Sequence, residues 1–383
     1  MNLLLVCWGD PFTTQAGTEI FAGDLAVELA KQGHNVHILY GGKNHPHPEV
    51  KYLITHPLHI FNIPYVRTLD FQRKYTNLCV RLIDKLDIRA IIAFGAGTFP
   101  SYAFNKIKRL KKKPLLVYYA IDTMKMEYER SKLSVESKGL LTSFKRWIRF
   151  IALIKSDETS CINSDLVFAS SRDTASHIIS DYGIPPGKVK VLHLGIPDNF
   201  AEGIESVDPN TPVFLHVAGG PRKGTGYLLK AMKLLEKKYA LKTKAIITRA
   251  TLAQAKQAKE LGIDAEVHGS MPRLELKRFY ASCTALVSPS LSEGFCLPVI
   301  EAAMFGKPAI VSNTGSLPEL VIDGENGFIV PVADTITLAE RMYQIAVSKQ
   351  LRRHMGEKAK RFSQRFKISN IAKTLIELLD NKL

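Results

Sequence analysis

Two glutamates that flank the start of a predicted helix, Glu293 and Glu301, are the strongest candidates for chemistry in this sequence. An apolar run that ends at Ser288 predicts a buried strand, and a loop holding Gly294 follows it. Pro298 fits the first turn of the next helix, where its missing N–H costs nothing. The two carboxylates therefore lie on either side of a strand–loop–helix junction.

This junction is a candidate anion site. Backbone N–H groups near Phe295, Cys296 and Leu297 would face the carboxyl edge of the strand, where helix N-termini bind anions and open α/β sheets bind ligands. One carboxylate would then lie near the reacting end of a ligand, while the other accepts hydrogen bonds from a polyol. The alternative is a routine strand–helix turn with two solvated glutamates.

A second candidate lies between a predicted strand and helix, where residues 218–226 read Ala-Gly-Gly-Pro-Arg-Lys-Gly-Thr-Gly. Its glycines permit a close backbone approach to a ligand, and Arg222 and Lys223 supply cations for phosphate oxygens. It is not a Walker A loop, because no Gly-Lys-Ser/Thr follows. An exposed basic turn is the alternative. A third segment, Ala16-Gly17-Thr18-Glu19, opens the first helix, and without further information it is a simple helix start.

The elements that position these residues follow an α/β pattern. Short apolar runs alternate with amphipathic segments, which predicts parallel, doubly wound sheets. The pattern restarts after the polar, breaker-rich segment 204–211, so we expect two Rossmann-like domains, residues 1–203 and 204–365. Predicted strands are 3–8, 36–40, 90–94, 115–120, 166–169, 188–192, 213–217, 244–247, 265–268, 285–288 and 309–312.

Composition excludes several classes of protein. The 383 residues are 46% hydrophobic and 23% charged, as in globular proteins and unlike disordered chains. Five scattered cysteines form no C-x-x-C pair, which argues against a disulfide framework or structural zinc and favours a reducing compartment. The apolar N-terminus is short, lacks basic residues and predicts a strand rather than a signal peptide. No apolar run reaches the roughly 20 residues of a membrane span.

The net charge of +16 favours anionic partners: nucleic acid, phosphorylated small molecules or acidic lipid headgroups. Residues 106–113 hold six cations, and residues 143–155 combine an apolar stripe with basic residues. Together they indicate a surface for peripheral contact with an anionic membrane. The alternative is an amphipathic helix packed on its own domain beside a solvated basic loop.

Metal and cofactor signatures are poor. His45-Pro46-His47 is a lone His-x-His with no evident third ligand, and no Asp-x-Asp clamp is present. Gly95-Ala96-Gly97 is too short for a dinucleotide fingerprint, and no Gly-x-Ser-x-Gly nucleophile elbow occurs. We therefore expect neither a metal nor a bound cofactor.

The segment from Glu293 to Glu301 resembles the E-x7-E motif of the retaining family-4 glycosyltransferases of GT-B fold. The resemblance covers most of residues 212–330. It includes the segments Pro289-Ser290, Glu293-Gly294-Phe295, Leu297-Pro298, Glu301-Ala302, Gly306-Lys307-Pro308, Gly315, Pro318-Glu319 and Gly324-Glu325-Asn326-Gly327-Phe328. It implies two Rossmann-like domains facing a cleft, with a C-terminal helix, 366–383, that returns to the first domain.

The resemblance also implies roles for single residues. Glu293 would lie near the donor hexose, and Glu301 would hold the ribose hydroxyls. Lys223 matches the lysine that contacts the donor diphosphate, whereas Gly219-Gly220 stand where the family usually has an arginine. Gly17 would border the acceptor and the diphosphate. The remaining donor-side candidates carried over from the motifs are Arg222, Gly294, Phe295, Cys296 and Leu297.

The N-terminal half matches less well. Asp122 fits an aspartate of the family, but Ile121 replaces the catalytic-side histidine that many relatives carry before it. The expected function is retaining transfer of a hexose from a UDP- or GDP-sugar to a glycan or lipid-linked acceptor, without a metal. The expected setting is cell envelope polysaccharide synthesis, in the cytoplasm or at the cytoplasmic face of the membrane.

Two other classes of function remain open. One is another enzyme of the same fold, a nucleotide-sugar epimerase, which needs no acceptor, or a phosphorylase, which needs free phosphate. The other is a binding protein, either a catalytically silent relative or a basic nucleic-acid binder. The replacement of the family histidine by Ile121 is the observation that favours a silent relative. No nucleic-acid-binding module is recognisable, so nucleic acid is not an expected partner.

Overall fold

The computed structural model describes the backbone of residues 1–14, 16–43, 47–59, 66–95, 101–133 and 140–383, and their side chains except in 66–71, 101–102, 130–133 and 140–149. The chain folds into two compact units. The first comprises Met1–Pro197 and Ile368–Leu383, and the second comprises Asp198–Lys367.

The first unit is built on a seven-stranded parallel sheet in the order β3-β2-β1-β4-β5-β6-β7. Its strands are β1 (Asn2–Cys7), β2 (Asn35–Gly41), β3 (Leu53–Leu58), β4 (Ala90–Phe94), β5 (Leu115–Ala120), β6 (Leu166–Ala169) and β7 (Val189–Val191). The central strands β1, β4 and β5 are almost wholly buried. Their continuous apolar sequences follow from that burial, because both faces of a parallel sheet are covered.

The helices of the first unit are α1 (Gly17–Lys31), α2 (Val66–Leu86), α3 (Ser101–Ile107), α4 (Met124–Leu133), α5 (Leu140–Asn163), α6 (Arg172–Tyr182) and α14 (Ile368–Asp380). The C-terminal helix α14 packs against α1. Its first N–H donates to the Ile196 carbonyl at 2.8 Å. A side chain at Gly195 would meet Ile368 and Ile371 at under 3.0 Å, so only glycine permits this approach.

The second unit holds a six-stranded parallel sheet in the order β10-β9-β8-β11-β12-β13. Its strands are β8 (Val213–Val217), β9 (Lys244–Thr248), β10 (Ala265–Val267), β11 (Ala285–Ser288), β12 (Ala309–Ser312) and β13 (Gly327–Val330). Its helices are α7 (Thr225–Tyr239), α8 (Leu252–Glu260), α9 (Arg273–Ser282), α10 (Leu297–Met304), α11 (Leu317–Leu320), α12 (Thr335–Val347) and α13 (Lys349–Ser363). The structure thus has the two α/β domains that the sequence predicts.

The second unit begins at Asp198, a few residues before the expected boundary at 203/204. Phe200 is buried against Tyr280 and Phe305, with ring centroids 6.4 and 6.0 Å away. The Val207 N–H then donates to the Ala281 carbonyl at 2.9 Å. Phe200 therefore anchors the start of the second unit, and the polar residues after it are largely exposed and lie along the surface of that unit.

Two strands are missing from the sequence-based prediction. The edge strand β3 contains Pro57 and is mostly half-exposed, so it lacks the apolar run of a central strand. The other edge strand, β13, is short and directly follows a polar turn. Exposure explains the omission of β3 only, since β13 is apolar and mostly buried; the first residue of β13, Gly327, continues the polar turn and gives no local signal for the start of a strand.

The basic surface predicted for membrane contact is described only in part. Most cations of residues 106–113 belong to exposed side chains, as a solvated loop requires. The side chains of 140–149, which hold most of the apolar stripe predicted within 143–155, lie outside the described residues. Among the described residues, no helix combines the length and apolarity needed to cross a bilayer.

Candidate functional site

Glu293 lies in the loop after β11, and its side chain is buried with 1% exposure. Lys223, from the short 3-10 turn Pro221–Lys223 after β8, places its Nζ 2.5 Å from Glu293 Oε1. The Ser290 hydroxyl donates to the same oxygen at 2.8 Å. Glu293 Oε2 makes no hydrogen bond to the part of the chain that the structure describes, so it is available to accept one from a ligand.

The charges of this pair stabilise each other. Burial alone would raise the pKa of Glu293, but the charges of Lys223 and Arg222 and the hydrogen bonds from Lys223 and Ser290 hold it below its ordinary value of 4.5. Burial alone would lower the pKa of Lys223, but Glu293 raises it above the ordinary value. Glu293 is therefore a carboxylate and Lys223 an ammonium at neutral pH, so Glu293 is no proton donor there.

Close backbone contacts fix the two loops that carry this pair. Gly224 has φ 74°, and a Cβ there would lie 1.9 Å from the Pro289 carbonyl oxygen. Gly315 has φ 54°, and a Cβ there would lie 2.0 Å from the Glu293 carbonyl oxygen. Glycine is thus required at both positions by conformation and by space. The Leu291 N–H also donates to the Arg222 carbonyl at 2.8 Å, which ties the loops together.

Helix α10 begins in the loop after Glu293, as predicted. Its first residue is Leu297, and Pro298 occupies the first turn. Phe295, Cys296 and Leu297 are buried, and no side chain of the described residues caps the N-terminus. A helix N-terminus of this kind offers backbone N–H groups to an anion.

Cys296 is a structural rather than a nucleophilic cysteine. Its thiol is buried, and its sulfur lies 3.6 Å from the Ser288 hydroxyl oxygen. Burial and the negative charge of Glu293 raise the pKa of Cys296 to about 11. The thiol is therefore protonated and unreactive near neutral pH.

Glu301 lies on α10 and is also buried, with 6% exposure. The Tyr280 hydroxyl, from α9, donates to Glu301 Oε2 at 2.7 Å. The Arg273 guanidinium, at the start of α9, lies 3.9 Å from Glu301 Oε1 and stacks on Phe200. A carboxylate oriented in this way can accept hydrogen bonds from two neighbouring hydroxyls of a polyol.

The burial of these groups excludes two of the alternatives. Glu293 and Glu301 are not solvated glutamates, because 1% and 6% of their surfaces are exposed. The segment that carries Lys223 is not merely an exposed basic turn, because the Lys223 side chain is 15% exposed and paired with Glu293.

A buried histidine beneath this site is absent from the sequence-based prediction. His216, on β8, is 1% exposed and forms hydrogen bonds through both ring nitrogens, Nδ1 to the Val287 carbonyl at 2.9 Å and Nε2 to the Thr225 hydroxyl at 3.0 Å. Its signal in the sequence is a single polar residue inside an otherwise apolar strand. Burial lowers the pKa of His216 to about 4, so the ring is neutral.

The remaining predicted residues belong to the first unit. Gly17 is the first residue of α1, with Ala16 preceding it in extended conformation. Asp122 follows β5 and accepts a hydrogen bond from the Thr123 N–H at 2.9 Å. The Ile121 carbonyl accepts a hydrogen bond from the Ser170 hydroxyl at 2.6 Å. Gly17, at the start of the helix that follows β1, and Asp122, directly after β5, thus lie toward the carboxyl ends of parallel strands, where such sheets usually bind ligands.

Within the described ranges, no three His, Cys, Asp or Glu side chains are grouped so as to hold a metal ion. His45 and Pro46 of the His-x-His segment, and Ala96 and Gly97 of the glycine segment, lie outside the described residues.

Two family models match the chain side by side. The model "Glycosyltransferase Family 4" matches residues 16–200, and the model "Glycosyl transferases group 1" matches residues 199–362. The MMP alpha-(1->4)-mannosyltransferase of Mycolicibacterium hassiacum is 30% identical over 221 residues, which are 57% of this chain and 53% of that protein. The chain spans about half the length of the curated relatives it matches.

Solved structures show the fold. Sucrose-phosphate synthase from Thermosynechococcus elongatus superposes with a TM-score of 0.81 at 19% identity, covering 99% of this chain and 98% of that one. HepE from Anabaena, solved with UDP and glucose, superposes with a TM-score of 0.73 at 18% identity, covering both chains completely. Together the two adjacent family matches show that the chain is similar to the group 1 glycosyltransferases over residues 16–362, and the solved structures show that it has the two-domain fold of such enzymes.

Proposed function

We propose that this chain transfers a hexose from a nucleotide-sugar to a glycan or lipid-linked acceptor with retention at the anomeric carbon, using protein cations rather than a metal. The observation that carries the proposal is the buried Lys223–Glu293 pair beside the N-terminus of α10, which no side chain of the described residues caps. The relatives support it, since one is named a mannosyltransferase and HepE was solved with UDP and glucose.

The leaving nucleoside diphosphate is the group that gains negative charge in such a reaction. Lys223 and Arg222 are cations on the turn after β8, and α10 adds the partial positive charge of its N-terminus. Donors fixed before the reaction stabilise a developing anion without reorganisation. We assign the diphosphate to this cluster, with the N–H groups of Cys296 and Leu297 as backbone donors.

The transferred sugar gains positive charge as its bond to the diphosphate breaks. Glu293 is held as a carboxylate, and its Oε2 is available to accept a hydrogen bond from a sugar hydroxyl. We therefore assign Glu293 to positioning and electrostatic stabilisation of the sugar, not to proton donation. Glu301, oriented by Tyr280, is assigned to the ribose hydroxyls.

We assign the acceptor to the first unit, with Asp122 and the glycine at position 17 as its candidate residues. No protein nucleophile is needed if the acceptor attacks from the face that the diphosphate leaves. Peripheral contact with an anionic membrane remains part of the proposal for a lipid-linked acceptor, and it is motivated by the charge of +16.

Calorimetric titration in buffer without divalent metal tests the donor site. Wild type, Lys223→Ala, Glu301→Ala and the control Lys237→Ala, an exposed residue of α7, are titrated with UDP, GDP, ADP and their sugar conjugates. We expect one nucleotide to bind in the micromolar range. Loss of a charge-assisted hydrogen bond is worth about 1.5–3 kcal/mol, so Lys223→Ala should weaken it about 10- to 150-fold.

Equal nucleotide affinity in wild type, Lys223→Ala and Glu301→Ala, or no binding at all, would contradict the proposed donor site. Either result would favour the hypothesis of a catalytically silent relative. A radiolabelled donor then tests the reaction class. Consumption of the donor without any acceptor would indicate an epimerase, and a requirement for free phosphate would indicate a phosphorylase.

A further inference from the structure

Four elements of the second unit are joined by one chain of hydrogen bonds. Gln254 on α8 contacts the Thr225 hydroxyl through its Nε2 at 2.7 Å, and this hydroxyl contacts His216 Nε2 on β8 at 3.0 Å. His216 Nδ1 reaches the Val287 carbonyl on β11 at 2.9 Å. His216 and Thr225 are 1% and 3% exposed, so water does not compete for the two bonds of the ring, whereas Gln254 is half-buried.

The groups at the two ends of this hydrogen-bond chain, the Thr251 N–H and the Val287 carbonyl, fix which group donates in each bond. The Thr251 backbone N–H donates to Gln254 Oε1 at 2.8 Å, so the amide group turns its NH₂ toward Thr225. The Val287 carbonyl only accepts, so His216 Nδ1 carries the proton. His216 Nε2 must then accept from the Thr225 hydroxyl, which in turn accepts from Gln254. The chain runs one way, and the ring is neutral.

The chain ends directly beneath the candidate donor site. Thr225 is the first residue of α7 and follows Lys223 and Gly224, whereas Val287 precedes the loop that holds Glu293. Among the described residues, Lys223 and Glu293 are the charged groups whose fields act on the ring, Lys223 lowering its pKa and Glu293 raising it, both less than burial does. A proton on Nε2 would break the bond from Thr225 and add a cation next to Lys223.

We propose that His216 is a positioning residue, held as the Nδ1–H tautomer by a one-way hydrogen-bond chain from Gln254 through Thr225, and that this chain fixes Lys223 opposite Glu293 for binding the donor diphosphate. The inference rests on the proposed donor site. It adds a requirement that the site itself does not imply: a carboxamide on α8 orients the Thr225 hydroxyl so that it donates to His216 Nε2, and this bond helps to hold the neutral tautomer of a histidine close to the phosphate-binding lysine.

The first experiment uses a conservative pair. Thr225→Val keeps the shape of the side chain but breaks the chain, whereas Thr225→Ser keeps the hydroxyl. The nucleotide that wild type binds should bind Thr225→Val roughly fivefold to thirtyfold more weakly, as expected when one buried bond is lost, and Thr225→Ser within about twofold of wild type. Equal binding by the two variants would overturn the positioning role.

The second experiment reads the ring directly and needs no nucleotide. In ¹⁵N-histidine NMR spectra of wild type, His216 should be neutral with its proton on Nδ1 from pH 8 down to pH 5. Gln254→Glu keeps the acceptor for the Thr251 N–H but cannot donate to Thr225, so the hydroxyl turns toward the new carboxylate. His216 Nε2 must then donate, and the ring should titrate at a higher pH than in wild type.

Gln257→Glu is the matched control, because it places the same charge one turn along α8, where the side chain lies beside Gly226 and forms no hydrogen bond to Thr225 within the described part of the chain. If Gln254→Glu shifts the titration of His216 no more than Gln257→Glu does, the one-way chain is wrong. If wild type binds no nucleotide, the proposed donor site is wrong, but the NMR titration still tests whether Gln254, Thr225 and His216 form a one-way hydrogen-bond chain. Gln254→Glu also replaces Thr225→Val in the binding test if the valine variant does not fold.

Discussion

Removing the positive partner of the buried pair has an effect whose size and pH dependence follow from the structure. In Lys223→Met the Glu293 carboxylate keeps its burial and the Ser290 hydroxyl but loses the ammonium at 2.5 Å. Breaking a buried ion pair by removing one partner typically costs about 3–5 kcal/mol. We expect a loss of this size in the free energy of unfolding of the second unit at pH 7.

The pH dependence has a definite sign. In wild type the folded-state pKa of Glu293 lies below 4.5, so the pair stabilises the protein above that pH and the contribution is lost as pH falls. In Lys223→Met only the charge of Arg222 and the Ser290 hydroxyl still oppose the effect of burial, so we expect the folded-state pKa of Glu293 to rise above the unfolded value and the carboxyl to destabilise the fold as pH rises. The stability difference between the two proteins should therefore be largest near pH 7 and shrink toward pH 4.

Urea unfolding monitored by two probes measures this difference. Both tryptophans, Trp8 and Trp147, belong to the first unit, whereas far-UV circular dichroism reports both units. With a slope of about 2 kcal/mol/M, the circular dichroism midpoint of the second unit should fall by about 1.5–2.5 M. The double variant Lys223→Met/Glu293→Gln should recover most of the loss, and Lys237→Met should show none. A loss that is equally large at pH 4 and pH 7, or a double variant no more stable than Lys223→Met, would refute the reasoning.

Two further predictions concern the backbone that holds the site and a helix end remote from it. Gly224→Ala should destabilise the second unit far more than Gly262→Ala. Both glycines have positive φ, but only a Cβ at position 224 would lie 1.9 Å from the Pro289 carbonyl oxygen. The urea unfolding midpoints of the two variants test this difference. Asp334→Ala should lower the free energy of unfolding by about 1 kcal/mol at pH 7, because the Asp334 carboxylate caps α12. Hydrogen bonds from Thr337 hold the pKa of Asp334 below its ordinary value of 3.8. The difference in urea midpoint between the two proteins should therefore vanish as pH falls below 3.8.

Local patterns predicted the central elements well. The strands 90–94, 115–120, 166–169, 213–217, 285–288 and 309–312 are each found with the predicted bounds. They are predominantly apolar runs, as the buried core of a parallel sheet requires, so their composition reflects their burial. The start of α10 was also predictable, because Pro298 after a glycine loop is a local signal. The half-exposed edge strand β3 carries no such signal, whereas β13 is apolar but begins with a glycine that continues a polar turn.

The sequence by itself determined the α/β architecture, the two domains and the residue types at the candidate site, because apolar periodicity, glycines and prolines act over short distances. Only the tertiary structure decided the state of those residues. Lys223 and Glu293 lie 70 positions apart, and whether Glu293 is a solvated carboxyl or a buried carboxylate depends on the packing of their two loops. The tautomer of His216 likewise depends on partners from three other elements. Charge states and hydrogen-bond directions follow from burial and neighbours, and the order of residues along the chain specifies neither until the chain has folded.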